Sequence, residues 1–119
     1  MLYENLDVWK RSRVLAIETY TVFKNCRDFG FKDQITRSSL SVPSNLAEGC
    51  ERTSILERIR FFDIAKGSLG EFKTQVDIGI AIDYIESRQG SLWLRESDEI
   101  SRMIAAMMIK MRQQKESKS

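Results

Sequence analysis

Residues 54–86 read SILERIRFFDIAKGSLGEFKTQVDIGIAIDYIE, and this stretch decides the fold. Ser54 and Glu57 have the spacing of a capping box, in which the serine oxygen and the glutamate carboxylate each reach the other's backbone amide at a helix start. From there Ile55, Ile59, Phe62, Ala65, Leu69, Phe72, Val76 and Ile80 recur at steps of three or four residues. That period is one face of an α-helix. The spacing predicts a helix over 55–86, on the order of 45 Å long at 1.5 Å per residue. Gly67, Gly70 and Gly79 fall inside it, each costing about 1 kcal/mol relative to alanine. Glycines retained at that cost, beside Ser68, point to a backbone packed closely against them.

Upstream, the chain from Phe31 to Glu48 repeats the helical period with Ile35, Val42 and Leu46, and it holds the single proline, Pro43. Proline inside a helix removes a hydrogen bond and clashes with the preceding turn, so a kink or a restart is expected there, with Gly49 as the stop. Ser41, Ser44 and Asn45 can bond the backbone groups a kink frees. Gln34, Arg37, Ser41, Asn45, Glu48 and Arg52 line one side of this segment at mostly three- and four-residue spacing. This polar ladder can fix the register of the helix or line a site.

The first segment, about residues 6–25, carries Leu6, Trp9, Ala16, Tyr20 and Phe23 as one apolar stripe. Val8, Leu15 and Val22 form a second row, about 100° further round the helix. Two apolar faces need two sets of neighbours, supplied by a helix wedged inside one bundle or by a subunit interface at the second row. The last segment, about residues 91–114, carries Trp93, Ile100, Met103, Ile104, Met107 and Met111, a stripe read as adaptable core. Four helices at about 6–25, 31–48, 55–86 and 91–114 joined by short breaks make an all-α, antiparallel up-down four-helix bundle, one domain over residues 1–119.

Composition narrows the chemistry. The 119 residues include no histidine, which excludes His-based triads, His-ligated metals and an imidazole switch. No Walker or Rossmann glycine pattern occurs, and the Gly67–Gly70 spacing lies in a helical stripe where a nucleic-acid-clamping loop would not form. The Asp98-Glu99 pair suits a helix turn better than acid/base work. The reading is a non-enzyme with no cofactor and no metal. The start of the chain is acidic with no apolar core behind it, no stretch approaches the roughly 20 apolar residues of a membrane span, and Cys26 and Cys50 lack CxxC spacing. A cytoplasmic protein with reduced thiols is expected.

Nineteen Lys and Arg face seventeen Asp and Glu, a net charge of +2. Any nucleic-acid role must come from placement. Asp7 with Arg11, Asp33 with Arg37, Glu48 with Arg52 and Asp98 with Arg102 are acid-first i,i+4 pairs, usually solvated faces. The candidates for contact with RNA or DNA are Arg13, Lys24, Arg37, Arg58, Arg60, Lys110, Arg112 and Lys115.

Three runs carry a resemblance. Leu6-Asp7-Val8-Trp9, then Gln34 to Gly49 with its Ser41-Val42-Pro43-Ser44-Asn45-Leu46-Ala47-Glu48-Gly49 core, then Phe61 to Glu71, closely resemble the bacterial four-helix bundle proteins known from intervening sequences in 23S ribosomal RNA genes. The likeness spans about residues 2–112. Two positions usually arginine in that family are here Ser38 and Lys66. The resemblance implies an up-down bundle assembling into a homopentameric ring, about +10 in charge for five chains. It also implies kinship with retroelement accessory proteins that bind nucleic acid and a reverse transcriptase. Possible partners are thus other copies of the chain, nucleic acid, or a protein held on a ring surface as on a scaffold.

Overall fold

In the computed structural model, which describes residues 2–118, the Ser54 hydroxyl accepts the Glu57 amide at 3.4 Å and opens the central helix where the capping pattern places it. Four α-helices follow a short 3₁₀ turn: α1 (Asp7–Val22), α2 (Phe29–Glu51), α3 (Ile55–Ala81) and α4 (Ser87–Lys118). They run alternately up and down as an all-helical bundle of 51 × 22 × 20 Å. The expected outer limits, residues 1 and 119, lie outside the described residues.

The stripe of α3 is the spine of the core. Phe62, Ala65, Leu69, Phe72 and Val76 are all buried, against Ile35, Val42 and Leu46 of α2 and Trp93, Ile100 and Ile104 of α4. Burying such side chains, at roughly 25 cal/mol per Å² of apolar surface, is what holds the helices together. Val8 and Leu15 belong to this same core while Val22 is 45% exposed, so the second row of α1 is divided between core and surface. Within the single chain Val8 and Leu15 are thus covered by the bundle's own core, and Val22 is the member of the row left at the surface.

The helix ends differ from the sequence expectation in instructive ways. Helix α2 starts two residues early because Asp28 caps it, its Oδ1 accepting the Phe31 amide at 3.1 Å. It then runs unbroken through Pro43 and past Gly49, so the proline forces no restart. Gly49 is instead a point of close approach: a Cβ there would lie 2.8 Å from the Phe62 ring.

Helix α3 ends at Ala81, five residues before its predicted end, because Asp83 adopts a left-handed backbone at φ 64°. The Tyr84 amide then donates to the Gly79 carbonyl at 2.8 Å and the Asp83 amide to Ile80 at 3.1 Å. This is a Schellman closure with aspartate in the place glycine usually takes. Gly79 is packed beneath it against the side chains of Ile85 and Phe31, where the sequence reading expects a neighbouring backbone. Gly67 and Gly70 are not: a Cβ at either would meet nothing within 4 Å. The Ser87–Gly90 break turns out to be the first turn of α4, where Gly90 lies under Ile80.

Candidate nucleic-acid interface

Antiparallel connectivity places the start of α3 beside the end of α4, since Ile55 and Ile59 share the core with Met107, Met108 and Met111. Met111 is the last buried residue of α4 among the described residues, and residues 112–117 continue the helix exposed to solvent. Arg58 and Arg60 therefore lie at the same end of the bundle as Lys110, Arg112 and Lys115. The Arg58 Nε donates to the Arg52 carbonyl at 2.6 Å, and Arg60 sits 3.7 Å from Glu57. Such exposed pairs are worth little in water and leave the cations free to exchange partners.

The other three candidates are elsewhere. Arg13 is exposed along α1, where it rims a groove of about 350 Å³ floored by Ala16 and Pro43 and walled by Ile17, Tyr20 and Leu40. Lys24 follows α1 at the opposite end, its carbonyl accepting the Lys32 ammonium at 3.0 Å. Arg37 is held by Asp33 at 3.2 Å.

The polar ladder of α2 is broken into separate pieces. Asn45 Nδ2 donates to the Ser41 carbonyl at 2.8 Å and to its hydroxyl at 2.9 Å, and that hydroxyl meets Ser68 Oγ of α3 at 2.7 Å. Ser38 donates to Gln75 at 2.5 Å one step along the same seam. These bonds pin α2 to α3. Glu48 and Arg52 pair on the outside, and Gln34 is exposed, so the ladder as a whole lines no single cavity.

At the lighter seam, between α1 and α4, charge takes over from apolar packing. Arg11 pairs with Glu96 at 2.5 Å and also with Glu99, rather than with Asp7. Hydrogen bonds to Glu96 and then Glu99 hold the guanidinium well above its ordinary range, and the bond from Arg11 holds Glu99 below the usual carboxylate range. Asp98 likewise pairs with Lys73 of α3, at 2.5 Å, rather than with Arg102, and that bond lowers its carboxyl. Glu18 accepts the Trp93 indole N–H at 3.0 Å, and with Arg11, Leu15 and Glu96 these residues line a cavity of about 290 Å³. Sequence spacing sees only partners on the same helix, so it missed both cross-helix clasps.

Neither cysteine forms a disulfide, and burial pushes the Cys50 thiol up. Among the described residues no group of three Cys, Asp or Glu could hold a metal ion, and no helix is long and apolar enough to cross a membrane.

An up-down bundle of this length, with an apolar core and charged clasps across its seams, defines the class: a small all-helical bundle protein. The chain belongs to the 23S rRNA-intervening sequence protein family, whose profile matches residues 4–106. Among solved structures, a protein of unknown function from the S23 ribosomal protein family of Bacteroides thetaiotaomicron VPI-5482 is similar, with a TM-score of 0.79 at 23% identity. The likeness covers 85% of this chain and 97% of that one, and at that identity it speaks for the fold. No curated protein matches the sequence.

Proposed function

We propose that the chain is a non-enzymatic, ring-forming four-helix bundle that binds structured RNA, or another nucleic acid, through basic residues repeated around the oligomer. The observation that carries this is the convergence of Arg58, Arg60, Lys110, Arg112 and Lys115 on one end of the bundle from two neighbouring helices. A modest patch per chain becomes a strong one when symmetry repeats it, because each neutralised phosphate releases counterions. The assembly is supported by the exposed apolar groove of Ile17, Tyr20 and Leu40, which a lone chain leaves wet. The setting is the cytoplasm, where the two cysteines stay reduced.

Replacing Arg58, Arg60, Lys110 and Arg112 together by glutamine should weaken RNA binding and flatten its dependence on salt. Unchanged binding at low salt removes the proposal. Light scattering of the purified chain with its ultraviolet absorbance ratio reads oligomer mass and bound nucleic acid together. The groove also supports a second reading, a scaffold holding a protein partner. Capture of protein partners that survives nuclease treatment favours it.

A further inference from the structure

We infer that Arg52 is a stacking site for an unpaired nucleobase. This rests on the nucleic-acid reading above and adds to it a ligand class and a residue. Arg52 caps α2 in an extended conformation, with its amide donating to the Gly49 carbonyl at 3.2 Å. Its guanidinium carbon lies 4.9 Å from the centroid of the Phe61 ring, and one guanidinium nitrogen pairs with the Glu48 carboxylate. One plane of the cation is thus backed by an aromatic ring and one edge is fixed by a carboxylate. The side chain nevertheless remains 45% exposed. The incoming base is placed on the side of the guanidinium away from Phe61.

The position is further locked from α3, where Arg58 donates its Nε to the Arg52 carbonyl at 2.6 Å. That bond fixes the backbone from which Arg52 extends, and Phe61 and Glu48 bias its side chain toward one orientation, which lowers the rotamer cost of binding. Guanidinium planes are a standard platform for splayed-out bases in single-stranded and looped RNA. Stacking of this kind tolerates any base, because every base has a π-face. Arg58 and Arg60, in the first two turns of α3, carry the charge that a flanking phosphate needs. Bases inside a duplex are already stacked on each other, so the site selects single strands and loops over regular helices.

The test is a fluorescence titration of the full chain with a short single-stranded RNA carrying 2-aminopurine, beside the same sequence as a duplex. The wild-type chain should quench the probe in the single strand. Arg52→Lys keeps the charge and loses the plane. It should bind the single strand about tenfold more weakly, with its salt slope and duplex affinity unchanged. Phe61→Leu, which removes the backing ring and leaves Arg52 in place, should weaken single-strand binding by a smaller factor, and circular dichroism checks that both variants fold. If Arg52→Lys binds and quenches as the wild type does, Arg52 is only a clamp on the α2–α3 connection and the inference falls alone. If the wild type binds neither RNA at low salt, the nucleic-acid reading falls with it.

Discussion

Arg11 on α1 reaches across the bundle to Glu96 on α4, 2.5 Å away, and takes Glu99 with the same guanidinium. This clasp joins the two helices that share the lightest seam. Replacing Arg11 by methionine keeps most of the packing of the side-chain stem and removes the charge. The expected outcome is a melting temperature lower by about 4 °C, modest because the pairs are a third or more exposed to solvent. Thermal denaturation at low and at high salt checks it, since the difference should shrink as salt rises.

The same clasp sets a pH dependence. Glu99 is held below its ordinary range by Arg11, and Asp98 by Lys73. Carboxylates with depressed folded pKa values contribute stability that is fully present above their unfolded pKa, roughly 4, and lost as pH falls through the folded value. The gap in melting temperature between wild type and Arg11→Met should therefore be full at neutral pH and close in acid. A gap that stays constant down to strongly acidic pH would count against the clasp.

Two kinds of glycine should respond in opposite directions. Gly49→Ala places a Cβ 2.8 Å from the Phe62 ring at the α2–α3 contact, and overpacking of this kind costs about 1 to 3 kcal/mol. Gly67→Ala meets open space in a helix interior and should stabilise the chain by up to about 1 kcal/mol. Urea unfolding of the two variants, read at constant m-value, decides both.

Ser97 is fully buried, and its hydroxyl is without a hydrogen-bond partner among the described residues. Burying an unpaired hydroxyl costs on the order of 1 kcal/mol. Ser97→Ala should accordingly raise stability by about that amount, measured by the same unfolding experiment.

The bonded pair Ser41 and Ser68 gives the contrasting case. Each single change to alanine removes the bond between α2 and α3 while the remaining hydroxyl keeps a partner on its own helix, Asn45 for Ser41 and the Ile64 carbonyl for Ser68, and should cost about 1 kcal/mol. The double variant should cost little more than either single one, and a double-mutant cycle reads that coupling directly.

The fold was legible in the sequence because its main signals are local and periodic. The α3 stripe and the Ser54 cap need no knowledge of neighbours, and both stand in the structure. What escaped was whatever a neighbour decides. Asp83 takes a left-handed backbone that sequence reading reserves for glycine, so the end of α3 was overrun. Gly49 looked like a stop because the Phe62 ring against it comes from another helix. The second row of α1 left two readings open, core or interface, because periodicity cannot count how many helices surround α1; within the chain Val8 and Leu15 are buried.

The candidate interface divides the same way. Arginine and lysine could be listed from spacing, but their convergence depends on α4 being long enough to reach past the start of α3. Arg52 was read as one rung of a polar ladder, because nothing along the chain says that Phe61 lies beneath it.

Trp93 is 1% exposed, with its ring 5.9 Å from Phe72 and its N–H held by Glu18 of α1, whereas Trp9 is half-buried against the ring of Tyr3. The two indoles thus give the protein two optical signals of different origin. Emission from Trp93 is that of a dry indole beside a carboxylate, and any parting of α1 from α4 moves that carboxylate and admits water. The untouched chain therefore carries its own fluorescent gauge of the seam that Arg11 fastens.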